Sequence, residues 1–159
     1  MISVGIITVS DRAANGVYDD MGGPALQAAA AARGWTVVGA VVVPDELPGI
    51  QAAIQAFAQQ DCGLILTTGG TGITGRDVTP EAVRGIMRTE VPGFGEVMRA
   101  QSQSKTPNAL LSRCLAAVVN QSLVVALPGK PQGALECLGF VADAIPHAVK
   151  LLKRQPTSC

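Results

Sequence analysis

Apolar, β-branched runs alternate with helix-forming stretches through the first half of this chain, and that order leaves few folds open. Residues 4–9, interrupted only by Gly5 and Thr8, and the runs 35–43 and 63–67 lack the polar alternation of a half-exposed strand. Each reads as a strand covered on both faces. Between the first two, Pro24 stands at a helix start, residues 25–33 are rich in alanine, and Gly34 reads as a helix stop. Between the second and third, residues 47–60 place Ile50, Ile54 and Phe57 on one face at i, i+4, i+7 spacing. Such an order implies crossover connections. It predicts a three-layer α/β sandwich with a mostly parallel central sheet and helices on both faces.

The second half is read in the same way. Thr79 is expected as an N-cap with Pro80 at the first helical position, and the helix continues through 83–88. Pro92-Gly93 breaks the chain before a helix over 94–103. Residues 115–120 and 123–127 read as two short strands of a hairpin. A long helix is expected over 134–152, kinked at Pro146, with a frayed tail over 153–159. The length of 159 residues suits a single domain, 1–159.

Composition excludes several functions. Lys plus Arg and Asp plus Glu number 12 each, so no basic footprint for nucleic acid is present. No apolar run reaches the roughly 18 residues that a membrane span needs. The start of the chain opens directly into a strand-like run rather than a leader, and a cytoplasmic protein is expected. Cys62, Cys114, Cys137 and Cys159 lack metal-ligand spacing and read as reduced thiols. His147 is the only histidine, which argues against a zinc site and a Ser-His-Asp triad. Only 15% of residues are charged, and the sparse surface suggests a partner subunit.

In open α/β sheets ligands bind outside the carboxyl ends of the strands. Here those ends lead into Ser10-Asp11-Arg12, Pro44-Asp45-Glu46, the stretch 68–77 and Pro128-Gly129-Lys130-Pro131. The segment "TTGGTGITGRDVTP", residues 67–80, carries four glycines directly after an apolar strand. Glycines let main-chain N–H groups approach phosphate oxygens, so this stretch reads as a phosphate cradle. Thr67, Thr68, Thr71 and Thr74 are expected to add hydroxyl donors, and the helix starting near Thr79 its positive end.

Two familiar patterns do not hold. Residues 70–75 fit G-x-G-x-x-G, but the helix restarts late at Pro80 and Glu90 lies in a break rather than at a strand end. The same glycines fit a P-loop, but Arg76 and Asp77 stand where Lys and Ser or Thr are required. A carboxylate beside phosphates repels them unless a cation intervenes. Asp77 and Asp45 therefore suggest a Mg²⁺–nucleotide arrangement, with Asp45 alternatively a helix cap.

The stretches "TTGGTGITGRDVTPEAV", "EVPGFGEVMR", "ALLSR", "LPGKPQGALECL" and "ITVSDRAANGVYDDMGGPAL" together span nearly the whole chain. Their combination resembles the molybdenum-cofactor biosynthesis family. Within it the resemblance points to the molybdopterin adenylyltransferases and their sister proteins, including the amino-terminal domain of gephyrin. It implies a trimeric α/β domain that converts ATP and molybdopterin, with Mg²⁺, to adenylyl-molybdopterin and pyrophosphate. The product would then pass to a downstream molybdenum-insertion protein. Because this chain ends soon after its last helix, the metal-insertion activity of fusion relatives is not expected of it.

Carried over residue by residue, the resemblance makes Asp45 and Asp77 catalytic and the Mg²⁺ ligands. Thr68, Gly69, Gly70, Thr71 and Gly72 become the substrate cradle. Ser10 and Asp11 fall in the N-terminal binding loop, Gly129 and Pro131 in the last loop, and Ser112 at product handling. Arg76, Arg113 and Lys130 are candidate counter-charges for crowded phosphates. A non-catalytic sister protein that only holds molybdopterin is the alternative.

Overall fold

The computed structural model describes residues 1–158. Six strands form one sheet: β1 (Ser3–Val9), β2 (Thr36–Val43), β3 (Leu64–Thr68), β4 (Thr89–Glu90), β5 (Leu115–Val119) and β6 (Ser122–Leu127). Their order is β2-β1-β3-β6-β5-β4. β1 runs parallel to β2 and β3, and β3 parallel to β6, whereas β5 is antiparallel to both β6 and β4. The expected sandwich is thus present, and the hairpin of β5 and β6 supplies its antiparallel part. Asn120 turns that hairpin at a φ of 52°, in the left-handed region that asparagine tolerates.

Alternation along each strand sends side chains into two cores. Val4, Ile6, Leu64, Leu66, Leu123 and Val125 face one side, under helices α2 (Gly22–Ala32), α5 (Pro92–Gln103), α6 (Pro131–Val141) and α7 (Ile145–Leu152). Ile7, Ile65, Val124 and Ala126 face the other, under α3 (Leu47–Gln59) and α4 (Thr79–Ile86). The continuous apolar strands β1, β3, β5 and β6 are buried on both faces. By contrast β2, expected from residues 35–43 to be covered likewise, lies at the sheet edge and is exposed along most of its length. Ile50, Ile54 and Phe57 form the buried stripe of α3, as their spacing predicts.

Several boundaries differ from expectation. A short helix, α1 (Asp11–Ala14), follows β1 directly, and a 3₁₀ turn covers Pro107–Leu111. Pro92 opens α5 rather than breaking the chain, since proline suits the first turn of a helix. Thr89–Glu90 pairs as a two-residue strand with Ala117 and Val118. The stretch 134–152 is two helices joined by a 3₁₀ turn at Ala142–Ala144, and Pro146 lies in the first turn of the second. Cys62, Cys114 and Cys137 are buried free thiols; Cys159 lies outside the described residues.

Candidate active site

The parallel strands β1, β3 and β6 end side by side, so their exit loops meet at one rim of the sheet. A cavity of about 570 Å³ opens there. Eleven of the residues expected from the sequence line it: Ser10, Asp45, Thr68, Gly69, Gly70, Thr71, Gly72, Asp77, Gly129, Lys130 and Pro131.

The glycine-rich loop is tied down by hydrogen bonds that turn many of its polar groups inward. Gly69 N–H donates to Leu127 O at 3.1 Å, and Thr68 Oγ1 donates to Pro128 O at 2.7 Å. Gly69 and Gly70 adopt φ values of 101° and 67°. A Cβ on Gly69 would stand 2.1 Å from the carbonyl oxygen of Val9, so glycine is demanded twice over.

Of the four expected hydroxyl donors, Thr68 and Thr71 line the cavity and Thr67 and Thr74 do not. Thr67 Oγ1 is buried without a hydrogen-bond partner, Thr68 is committed to Pro128, and Thr74 donates to Asp77 Oδ2 at 2.7 Å. Thr71 lines the cavity and accepts from Cys114 Sγ at 3.6 Å, a weak bond at the sulfur limit. Thr79 is the first residue of α4 and not its cap. Its N–H donates to Gly70 O and its hydroxyl to Gly69 O. The start of α4 therefore anchors the loop's own carbonyls, which is a different use from the expected grip on phosphate.

Asp45 does not cap α3, whose N-cap is Glu46 without a side-chain bond. Its Oδ2 accepts from Asp11 N–H at 2.8 Å, while Asp45 N–H donates to Asp11 Oδ1 at 2.9 Å. Asp11 also receives Nε and Nη2 of Arg76 in a two-pronged pair, both at 2.9 Å. The Arg76 bonds, and then the Asp45 N–H, hold the Asp11 carboxyl below its ordinary pKa. Asp45 goes the other way: burial pushes its carboxyl up, helped by the charges of Asp11 and Asp77 and opposed by the Asp11 N–H.

Asp77 uses Oδ2 to accept from the N–H and hydroxyl of Thr74, at 2.9 and 2.7 Å. Among the described residues, no hydrogen bond engages Oδ1 of Asp45 or of Asp77, and no set of three metal-ligating side chains forms. A pair of carboxylates with one free oxygen each, on a glycine-lined cavity, fits a Mg²⁺ whose remaining ligands are phosphate oxygens and water.

Not every expected residue joins the cavity. Asp11 stands behind Asp45 as its brace. Ser112 and Arg113 lie instead in a separate groove of about 290 Å³ with Arg84, Glu90, Arg99 and Cys114. Ser112 Oγ accepts from Cys114 N–H at 3.3 Å. The cavity also contains residues not expected from the sequence, among them Tyr18, Asp20 and Gly22. Asp20 accepts from Thr8 Oγ1 and from Gly23 N–H, at 2.9 and 3.0 Å, just before α2. An acid ahead of small residues and a proline is a helix-start signal, and it could have marked this position.

A family model described as a probable molybdopterin binding domain matches residues 5–147. The chain belongs to that family. Among its relatives, the molybdopterin adenylyltransferase of Helicobacter pylori strain J99 is 41% identical, over 95% of this chain and 88% of its own. That of Escherichia coli K12 is 37% identical, over 96% and 86%. The solved structure of the molybdopterin biosynthesis enzyme MoaB from Thermus thermophilus superposes with a TM-score of 0.92 at 42% identity, over 99% of this chain and 100% of that one. The Mog protein of Mycobacterium ulcerans gives a TM-score of 0.89 at 36% identity, over 96% and 99%.

Proposed function

We propose that this protein is a molybdopterin adenylyltransferase, transferring AMP from ATP to molybdopterin with release of pyrophosphate. The observation that carries the reading is the placement of Asp45 and Asp77 on the wall of one glycine-lined cavity, each with an unengaged carboxylate oxygen. The names of relatives that match along nearly the whole chain support it.

In this reaction a terminal phosphate oxygen of molybdopterin attacks the α-phosphorus of ATP, and the bond to the β-phosphate oxygen breaks. The difficulty is electrostatic, since several anionic phosphates must share one pocket. Mg²⁺, held through Asp45 and Asp77, would supply counter-charge and polarise the phosphoryl oxygens. The glycines at 69, 70 and 72 leave the pocket wall free of side chains, so phosphates can approach the main chain closely. Lys130 lines the cavity where counter-charge is needed, whereas Arg76 is paired with Asp11 and is not among the residues lining it.

The assembly proposed is a homotrimer. Edge strand β2 exposes Val38, Val41 and Val42, an apolar surface that a second copy would cover. The setting proposed is the cytoplasm, with the product handed to a molybdenum-insertion protein; no helix among the described residues is long and apolar enough to cross a membrane.

The test is pyrophosphate release from Mg-ATP on addition of molybdopterin. Release by the wild type, lost by more than about a hundredfold in Asp77→Asn and abolished by chelating Mg²⁺, is expected. If molybdopterin binds but no pyrophosphate appears, the protein is a non-catalytic sister that only holds the pterin.

A further inference from the structure

Arg113 makes contacts unlike those of the other candidate counter-charges. It lines the smaller groove and is absent from the lining of the cavity. Each nitrogen of its guanidinium donates to a protein oxygen. Nε reaches Gly72 O at 2.7 Å, Nη2 reaches Asp77 O at 2.7 Å, and Nη1 meets the carboxylate of Glu81. Its main-chain N–H donates to Thr71 O at 2.9 Å. One residue thus grips the loop at positions 71, 72 and 77, while its charge is matched by Glu81 on the first turn of α4.

The gripped points matter. Gly72 and Asp77 flank a turn closed by Asp77 N–H donating to Thr74 O at 3.1 Å. A Cβ on Gly72 would lie 2.8 Å from Asp77 Oδ2, so the carboxylate rests directly on the glycine. A change in the span between these two carbonyls therefore moves the carboxylate relative to the cradle. The planar fork reaches two carbonyls and a carboxylate from three separate nitrogens; a lysine would have to reach all three from one.

We propose that Arg113 is a positioning residue. Its guanidinium sets the span between Gly72 and Asp77 from behind the loop and supplies no charge to the phosphates. The kinetic consequence rests on the adenylyl-transfer reading above; the clamp itself does not. The role accounts for the residue's place just before β5. It must enter from the start of that strand, which the antiparallel pairing with β6 brings to the rim of the cavity.

The experiment compares wild type, Arg113→Lys and Arg113→Ala by pyrophosphate release and by amide hydrogen exchange over residues 70–78. In Arg113→Lys, kcat falls at least about tenfold while KM for Mg-ATP stays within about threefold, and the amides of 72–77 exchange at least about tenfold faster. The lysine variant preserves charge, so wild-type kcat in it alongside a low value in Arg113→Ala would assign a charge role and overturn the proposal. A raised KM with unchanged kcat would make the residue a substrate contact and overturn it equally. Unchanged exchange in the loop would also overturn it. Should the wild type release no pyrophosphate, the function fails, while the exchange measurement still decides the clamp. Should Arg113→Ala not fold, Arg113→Lys carries both measurements.

Discussion

Asp11 and Asp45, 34 positions apart in sequence, hold one another by reciprocal bonds in which the main-chain N–H of each donates to the carboxylate of the other, at 2.8 and 2.9 Å. The exchange locks the loop after β1 to the loop after β2. It also keeps two like charges close together, which the protein tolerates because Arg76 neutralises one of them.

Asp45 is therefore held against stability. Its folded pKa lies above the ordinary 3.8, chiefly through burial. A carboxyl so shifted binds its proton more tightly in the fold than in the unfolded chain. Its stabilising contribution is full below the ordinary value and is lost as pH rises through the folded pKa. Asp45→Asn keeps an acceptor for the Asp11 N–H and removes the charge. It should raise the melting temperature at pH 7 by about 1–3 °C while abolishing pyrophosphate release. The gain should vanish as the pH falls to the ordinary value, and a scan of melting temperature against pH checks the sign.

Gly69 should be irreplaceable. Gly69→Ala meets the Val9 carbonyl oxygen at 2.1 Å at a φ of 101°, and the expected loss is about 2–4 kcal/mol in urea unfolding. Gly75→Ala meets nothing within 4 Å and should change stability by less than about 0.5 kcal/mol.

Thr68 ties the glycine-rich loop to the loop after β6 through its bond to Pro128 O. Thr68→Val keeps the shape and leaves that carbonyl short of a donor, at a cost of about 1–2 kcal/mol in unfolding measurements. The apparent KM for Mg-ATP should rise with it, because Gly129 packs against Gly69 across the same seam.

Lys130 is exposed on the cavity wall. Lys130→Ala should raise KM for Mg-ATP by about five- to tenfold, the equivalent of roughly 1 kcal/mol. The salt dependence of KM should become shallower in the variant, since a screened charge has been removed. Steady-state kinetics across a range of potassium chloride concentrations would measure both.

The sheet, its helices and the loops that bound the cavity are legible in the sequence because apolar runs and glycine density are local signals. Asp45 and Asp77 stand out in that way. What escapes is partner choice. Nothing in the "GRDVTP" stretch says that Thr79 will bond back to Gly69 and Gly70, or that Thr74 will occupy Asp77. Arg113 reads as a counter-charge when only segments leaving strands are expected at the rim. It enters a strand there instead, a consequence of one antiparallel pairing that apolar patterning does not encode.

That same reversal frees the opposite rim. The turn at Asn120 and Gln121 is exposed and lies at the far end of β6 from the cavity loops. A fluorophore, an affinity tag or a short tether grafted between those two residues would report on the protein while standing a full strand length away from its chemistry.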